Sequence, residues 1–353
     1  MDGTRRKPIS NEVVAAYSHC SRKAFLLHCT EERGTPHEYL EMLEECTNVS
    51  RSRYWALLRE TSAPIRSYGD DAISSRINVL TEANLRAGDL EAYCDALTKV
   101  GTRRGRSNSA AYEPTIVAGV QREHILRLSF AGYVLGQVQG TTPAVGHLVT
   151  AGGEHRRINL LPEYKTIKSI VARIRDWSTD SSVQPPPVVL NKHCPYCPFK
   201  IACTRLAEAA DDLSLLDRMT PKAMQRYHSR GILTVAQLSY LFKPRRRRRR
   251  DRQRSHHFNL EIQALAIRSG KIYIQAPPEI QKSDIALFLD IEGVPDRQLS
   301  YLIGLLICEH GTATQHSLWA ERAEDEESIW KKFVQKVSEY PDAPIYHLNN
   351  AQI

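Results

Sequence analysis

The chain has 353 residues, 42% of them hydrophobic and 25% charged, with a formal net charge of +8. That length accommodates two or three domains with their own cores, while the absence of any bilayer-length apolar run excludes a helical membrane protein. The opening MDGTRRKPISNEVV lacks the apolar centre of a secretory signal, so the expected location is the cytoplasm, and the positive balance favours a polyanionic partner, nucleic acid first.

Residues 11 to 62 read as helical, with Val14, Tyr17, Leu26, Leu40 and Leu43 as apolar positions and nothing extended. From about Leu90 the pattern changes. LEAYCDALTKV and AYEPTIVAGV predict paired strands across the basic turn GTRRGRSNS. A helix follows from Gln121 to Gln137, on Ile125, Leu128 and Leu135, then the strands VGHLVTAGG and RRINLLP and a helix from Glu163 to Trp177. The proline-rich SSVQPPPVVL cannot continue that helix and leads across the surface to a cysteine cluster.

Cys194, Cys197 and Cys203 stand in HCPYCPFKIAC, a C-x2-C-x5-C spacing that lets one loop present several thiolates to one centre. In a reducing compartment this spacing speaks for metal rather than disulfides. A zinc site or an iron-sulfur cluster needs a fourth ligand, for which Cys20 in AYSHCSRKAFL and the adjacent His193 are candidates. The plainer reading is three neighbouring thiols without a ligand. Cys29, Cys46, Cys94 and Cys308 have no such company and read as small core residues.

Beyond the cluster, residues 211 to 242 read as a helical hairpin: Thr220 and Pro221 open one helix, Gly231 ends it, and Thr234 caps the next. Its GILTV places amides at a helix start, where a phosphate is favoured, although simple helix packing explains it equally. Arg245 to Arg250 form a basic run that reads as a solvated, phosphate-neutralising linker. Three strands (DIALFLDIEGV, SYLIGLLI, TQHSLWA), an amphipathic helix (EDEESIWKKFVQKVSEY) and a strand (APIYHL) complete the pattern.

One upstream cysteine, a nuclease-sized core and then C-x2-C-x5-C resembles the iron-sulfur branch of the RecB-like PD-(D/E)XK nucleases, which includes CRISPR-associated exonucleases. The phrases LNKHCPYCPFKIAC, DDLSLLDRM, GILTVAQLSYLFKPRR and LFLDIEGVPD resemble a bacterial group of such nucleases that carries an RNase H-like domain next. The resemblance implies an α/β chain. A restriction-endonuclease-like core with a helical N-terminal part would span 1–210, stapled by a 4Fe-4S cluster on Cys20, Cys194, Cys197 and Cys203. A helix-hairpin-helix-like segment at 211–243, a basic linker at 244–283 and a partial RNase H-like domain at 284–353 would follow.

It also implies a site. Such nucleases hold Mg or Mn between carboxylates on neighbouring strands, with a lysine nearby to orient or activate water. Asp95 and Glu113, on the two strands of the hairpin, match the family's aspartate and glutamate. The lysine expected two positions after Glu113 is replaced by Thr115, with Arg122 or Lys99 as substitutes; Gln121 and Tyr133 are the nearest equivalents of the family's Gln and Tyr, and His37 is a candidate extra ligand. The plainer reading makes these solvated strand-end residues. In LFLDIEGV, Asp290 and Glu292 project to one face of a strand and Leu289 and Ile291 to the other. Adjacent carboxylates invite a cation, and the arrangement resembles the D-x-E start of exonuclease and RNase H-like two-metal sites. Glu326 or Glu327 are the later acids at hand; the family's further carboxylates and closing helices would lie past Ile353, so this half is expected to be inactive. The expected function is metal-dependent cleavage of DNA phosphodiesters at Asp95 and Glu113. The alternatives are a degenerate protein that binds nucleic acid without cutting it and an inactive truncated product.

Overall fold

The structure, a computed structural model, describes residues 7–61, 64–69, 72–73, 77–100, 111–179, 183–243, 259–274, 283–294 and 299–347. The chain divides into two units, Met1–Tyr273 and Ile274–Ile353. In the first, β1 (Ile9–Ser10) leads into α1 (Asn11–His19), α2 (Ser21–Cys29) and α3 (Glu38–Thr61). Ser10 Oγ caps α1 by accepting from Val13 N–H, and Cys20 Sγ caps α2 by accepting from Lys23 N–H. Then come β2 (Ile65–Ser67), β3 (Val79–Ala87), β4 (Leu90–Val100), β5 (Ala111–Val117), α4 (Arg122–Gln139), β6 (Val145–Val149), β7 (His155–Asn159) and α5 (Tyr164–Thr179).

These strands form one mixed sheet in the order β2-β3-β4-β5-β6-β7, with β1 also joined to β4. The long strand β4 divides one of its edges between two partners. β5 pairs antiparallel with Ala96 to Val100, while β1 pairs parallel with Leu90 and Glu91. In the gap, the Asn11 side chain takes the place of a strand: its Oδ1 accepts from Tyr93 N–H at 2.7 Å, and its Nδ2 donates to Tyr93 O at 3.3 Å. Backbone groups that no strand reaches are thus paired by a side-chain amide.

Helices α1, α4 and α5 cover one face of the sheet and bury Leu85, Leu97, Ile116, Leu128, Phe130 and Ile174. Helix α3 covers part of the other, packing Tyr54 and Leu58 against Val79, Ala96, Val117 and Val149. The alternation along β3 changes phase midway. Val79 belongs to the α3 side and Leu80, Ala83 and Leu85 to the other, because Glu82 turns to a φ of 55°.

After the thiol segment come α6 (Lys200–Ala209), α7 (Pro221–His228), α8 (Val235–Ser239) and α9 (Leu260–Ser269). The hairpin at 211 to 242 is as expected, with Thr220 capping α7, Gly231 at a φ of 76°, and a reciprocal Thr234–Gln237 capping box on α8. The expected linker at 244–283 is corrected in part by α9. Asn259 caps this helix, Gly270 ends it at a φ of 63°, and Ala264 packs into the cluster of Met224, Val235 and Leu238. The Arg245 to Arg250 run lies outside the described residues.

The second unit comprises β8 (Ile285–Val294), β9 (Leu299–Glu309), β10 (Thr312–Trp319), α10 (Glu326–Ser338) and β11 (Ile345–His347). The sheet order is β10-β9-β8-β11, antiparallel except for β11, which runs parallel to β8. Helix α10 covers one face, where Leu287, Leu305 and Ile307 meet Phe333, and Ile303 meets Ile329. Among the described residues, no helix is long and apolar enough to cross a membrane.

Candidate functional site

Asp95 lies on β4 at the gap between β1 and β5 and is fully buried. Both carboxylate oxygens are engaged: Oδ1 accepts from Arg51 Nε of α3, and Oδ2 accepts from Val117 N–H at 2.7 Å. Its backbone carbonyl accepts from Trp55 Nε1 at 3.0 Å. Burial pushes the Asp95 carboxyl above its ordinary value, while Arg51, the Val117 amide and Arg127 pull against that rise.

Glu113 stands elsewhere. It is in register with Thr98, three positions along β4 from Asp95, which is roughly 10 Å at the rise of a strand. Its Oε2 meets His147 Nε2 at 2.9 Å. The β4–β5 register ends at the Ala96–Thr115 pair, and beyond it Ile116 is a core residue 1% exposed. The hairpin therefore forms where expected but does not bring the two carboxylates to one point. Arg122, a candidate for the missing lysine, is held by Glu163 in a bidentate pair at 2.5 and 2.7 Å. Tyr133 packs near Tyr164, Gln121 caps α4, and His37 Nδ1 accepts from Tyr39 N–H with its ring against Tyr196. Arg51, Trp55 and Asn11, which complete this locus, carried no sequence signal, because their partners lie 44, 40 and 82 positions away.

The thiols do converge. Cys20, Cys194, Cys197 and Cys203 line one small cleft with Leu26, Val188, Val189, Leu190 and Phe199 as apolar walls and Arg22, Lys23 and Lys200 as nearby cations. Asn191 N–H donates to Cys194 Sγ at 3.2 Å and Lys23 N–H to Cys20 Sγ at 3.5 Å. Burial pushes the Cys194 and Cys203 thiols up, so neutral thiols are favoured until a cation enters. His193 lines the same cleft, stacked 4.2 Å from His19, and its Nε2 accepts from Lys23 Nζ at 3.1 Å. Among the described residues, no three His, Cys, Asp or Glu side chains converge tightly enough for a single ion. Gly34 abuts this segment: Thr35 N–H donates to Pro198 O at 2.9 Å, and a Cβ on Gly34 would stand 2.5 Å from that oxygen. Of the other cysteines, Cys94 is buried in the core, whereas Cys29 is exposed instead of internal.

The start of α8 does not offer the amides expected of a phosphate grip. Val235 N–H donates to Asp211 O, Ala236 N–H to Asp211 Oδ2 at 2.8 Å, and Gln237 N–H to Thr234 Oγ1. The Asp211 carboxylate already supplies the negative charge that such a terminus attracts.

In the second unit, Asp290 and Glu292 are exposed on the face of β8 opposite to α10, as the alternation predicts. Asp290 is in register with Gly304 of β9, where an added Cβ would make ordinary van der Waals contact with Asp290 at 3.6 and 3.9 Å. Phe288, 44% exposed, precedes them and packs on Tyr346. Glu326 Oε1 accepts from Ser300 N–H at 2.8 Å, and Glu327 pairs with Lys331, so each has a local partner.

No curated protein matches the chain. Residues 287–351, which carry the β8 carboxylates, match the family model of the RNase_H superfamily, so this part of the chain is similar to an RNase H-like domain.

Proposed function

We propose that the chain hydrolyses nucleic-acid phosphodiesters with Mg or Mn, held by Asp290 and Glu292 on β8, so that the half expected to be inactive carries the chemistry in place of Asp95 and Glu113. The observation that carries this reading is two exposed carboxylates on one strand face within a segment matching the RNase_H superfamily. When bound, such a cation would stabilise charge on the transferring phosphorus and activate water. The protein's own share is to hold two anionic groups in fixed alternation on a rigid strand. The net charge of +8 supports a polyanionic substrate, with DNA favoured by the resemblance to RecB-like nucleases.

The four thiols are the ligands we propose for a 4Fe-4S cluster, supported by their shared cleft and by the C-x2-C-x5-C spacing. Bound there, the cluster would be a structural tie between the start of α2 and the segment before α6. The test is cleavage of end-labelled single-stranded and duplex DNA and RNA with Mg or Mn. Metal-dependent cutting that disappears in Asp290→Asn supports the proposal; wild-type protein that cuts none of the substrates overturns it.

A further inference from the structure

We infer that Arg51 is the built-in counter-cation of Asp95, so that the first unit carries a self-neutralised carboxylate in place of a divalent-cation site. The chain then hydrolyses through one centre, on β8. Only that second statement rests on the function proposed above.

The geometry of the gap in the sheet carries this inference. Both oxygens of Asp95 are already engaged inside the fold, one by Arg51 Nε and the other by the Val117 amide. The guanidinium is itself fixed: its Nη1 donates to Asn48 Oδ1 at 2.6 Å, and it lies 5.6 Å from the centre of the Tyr93 ring. Glu113 does not serve as a second carboxylate beside Asp95, because it lies in register with Thr98 and pairs with His147. The charges nearby point the same way. Arg127 is a second cation acting on Asp95, with Glu12 and Glu123 balancing it from α1 and α4. A dication would therefore face two guanidiniums and would compete with the Val117 N–H for the carboxylate that accepts from it. Asp95 belongs to the bonding of the sheet, with Asn11 at Tyr93 and Trp55 at its own carbonyl.

The experiment uses the full chain. Mn binding is followed by the loss of the free-ion electron paramagnetic resonance signal, and thermal unfolding is compared for wild type, Asp95→Asn, Arg51→Met and the double variant. Asp95→Asn should keep the wild-type Mn stoichiometry and cleavage, whereas Asp290→Asn should lose both. Each single change at the pair should lower the Tm by several degrees, and the double variant should lose less than the sum. Loss of a bound Mn in Asp95→Asn, loss of its cleavage, or strictly additive Tm losses overturns the inference. Wild-type protein that neither binds Mn nor cuts refutes the β8 proposal alone, and the unfolding cycle still decides the ion pair. If the single variants fail to fold, a folded double variant supports the inference and an unfolded one overturns it.

Discussion

Asp290→Asn should make the metal-free second unit more stable and the metal-loaded one less stable than wild type. Asp290 and Glu292 alternate on β8, which sets their carboxylates about 7 Å apart. At that distance two like charges repel by about 0.6 kcal/mol in the dielectric of water, the appropriate limit for exposed groups. Removing one charge should therefore raise the stability of the metal-free unit by roughly half a kcal/mol, or about 2–4 °C in a domain of this size. Mn at ten times its dissociation constant should add about 1.4 kcal/mol to wild type and almost nothing to the variant, so the order of stability inverts. Hydrogen exchange of the β8 and β9 amides, followed by mass spectrometry with chelator and then with Mn, reads this unit separately. The reasoning is refuted if the two proteins keep the same order in both conditions.

Further outcomes follow from the thiol cleft and its surroundings. Anaerobic purification should give a brown protein with about four irons per chain, and Cys20→Ser or Cys197→Ser should lose colour and iron together; a colourless wild type with stoichiometric zinc rejects the cluster. Gly34→Ala combines a φ of +69° with a backbone contact at Pro198 and should cost about 2–3 kcal/mol, so an unchanged urea midpoint would contradict the packing. His28 is held below its ordinary value by burial and then by Lys7. The fold refuses a proton that the unfolded chain accepts, so the stabilisation is present above about pH 6.5 and declines as the pH falls, by up to about 1.4 kcal/mol per unit. His28→Gln should flatten the urea-derived stability between pH 7 and 5, and identical slopes in the two proteins would show that His28 is not the group responsible.

Legibility in the sequence followed the range of the interactions. Helices α4 and α5, the β4–β5 hairpin and the second unit were readable because their apolar periods are local. Strand β3 was missed because Glu82 shifts its alternation halfway, and α9 because arginines dominate the residues before it. The cysteine spacing pointed to one cleft, including Cys20, although the ligand itself is not fixed by that spacing. Asp95 was recognisable as a special carboxylate, whereas its engagement by Arg51 and Val117 depends on how β5 departs from β4 after Thr115. No window of sequence contains that divergence. Likewise, nothing in GILTV announces that Asp211, 25 positions before Ala236, closes the start of α8.

The weaving of the N-terminal segment into the sheet has a consequence for synthesis. Asn11 needs Tyr93, 82 positions later, while Arg22 and Lys23 bond to Pro186 and His193, 164 and 170 positions later. A ribosome thus delivers the earliest part of the first unit well before the strands and loop that receive it. Loop closure over such separations delays folding, and the exposed intermediate is a target for aggregation or proteolysis. Docking of residues 9–23 should be a late event, and a tag or truncation there should lower the yield of folded protein more than the same change beside the second unit.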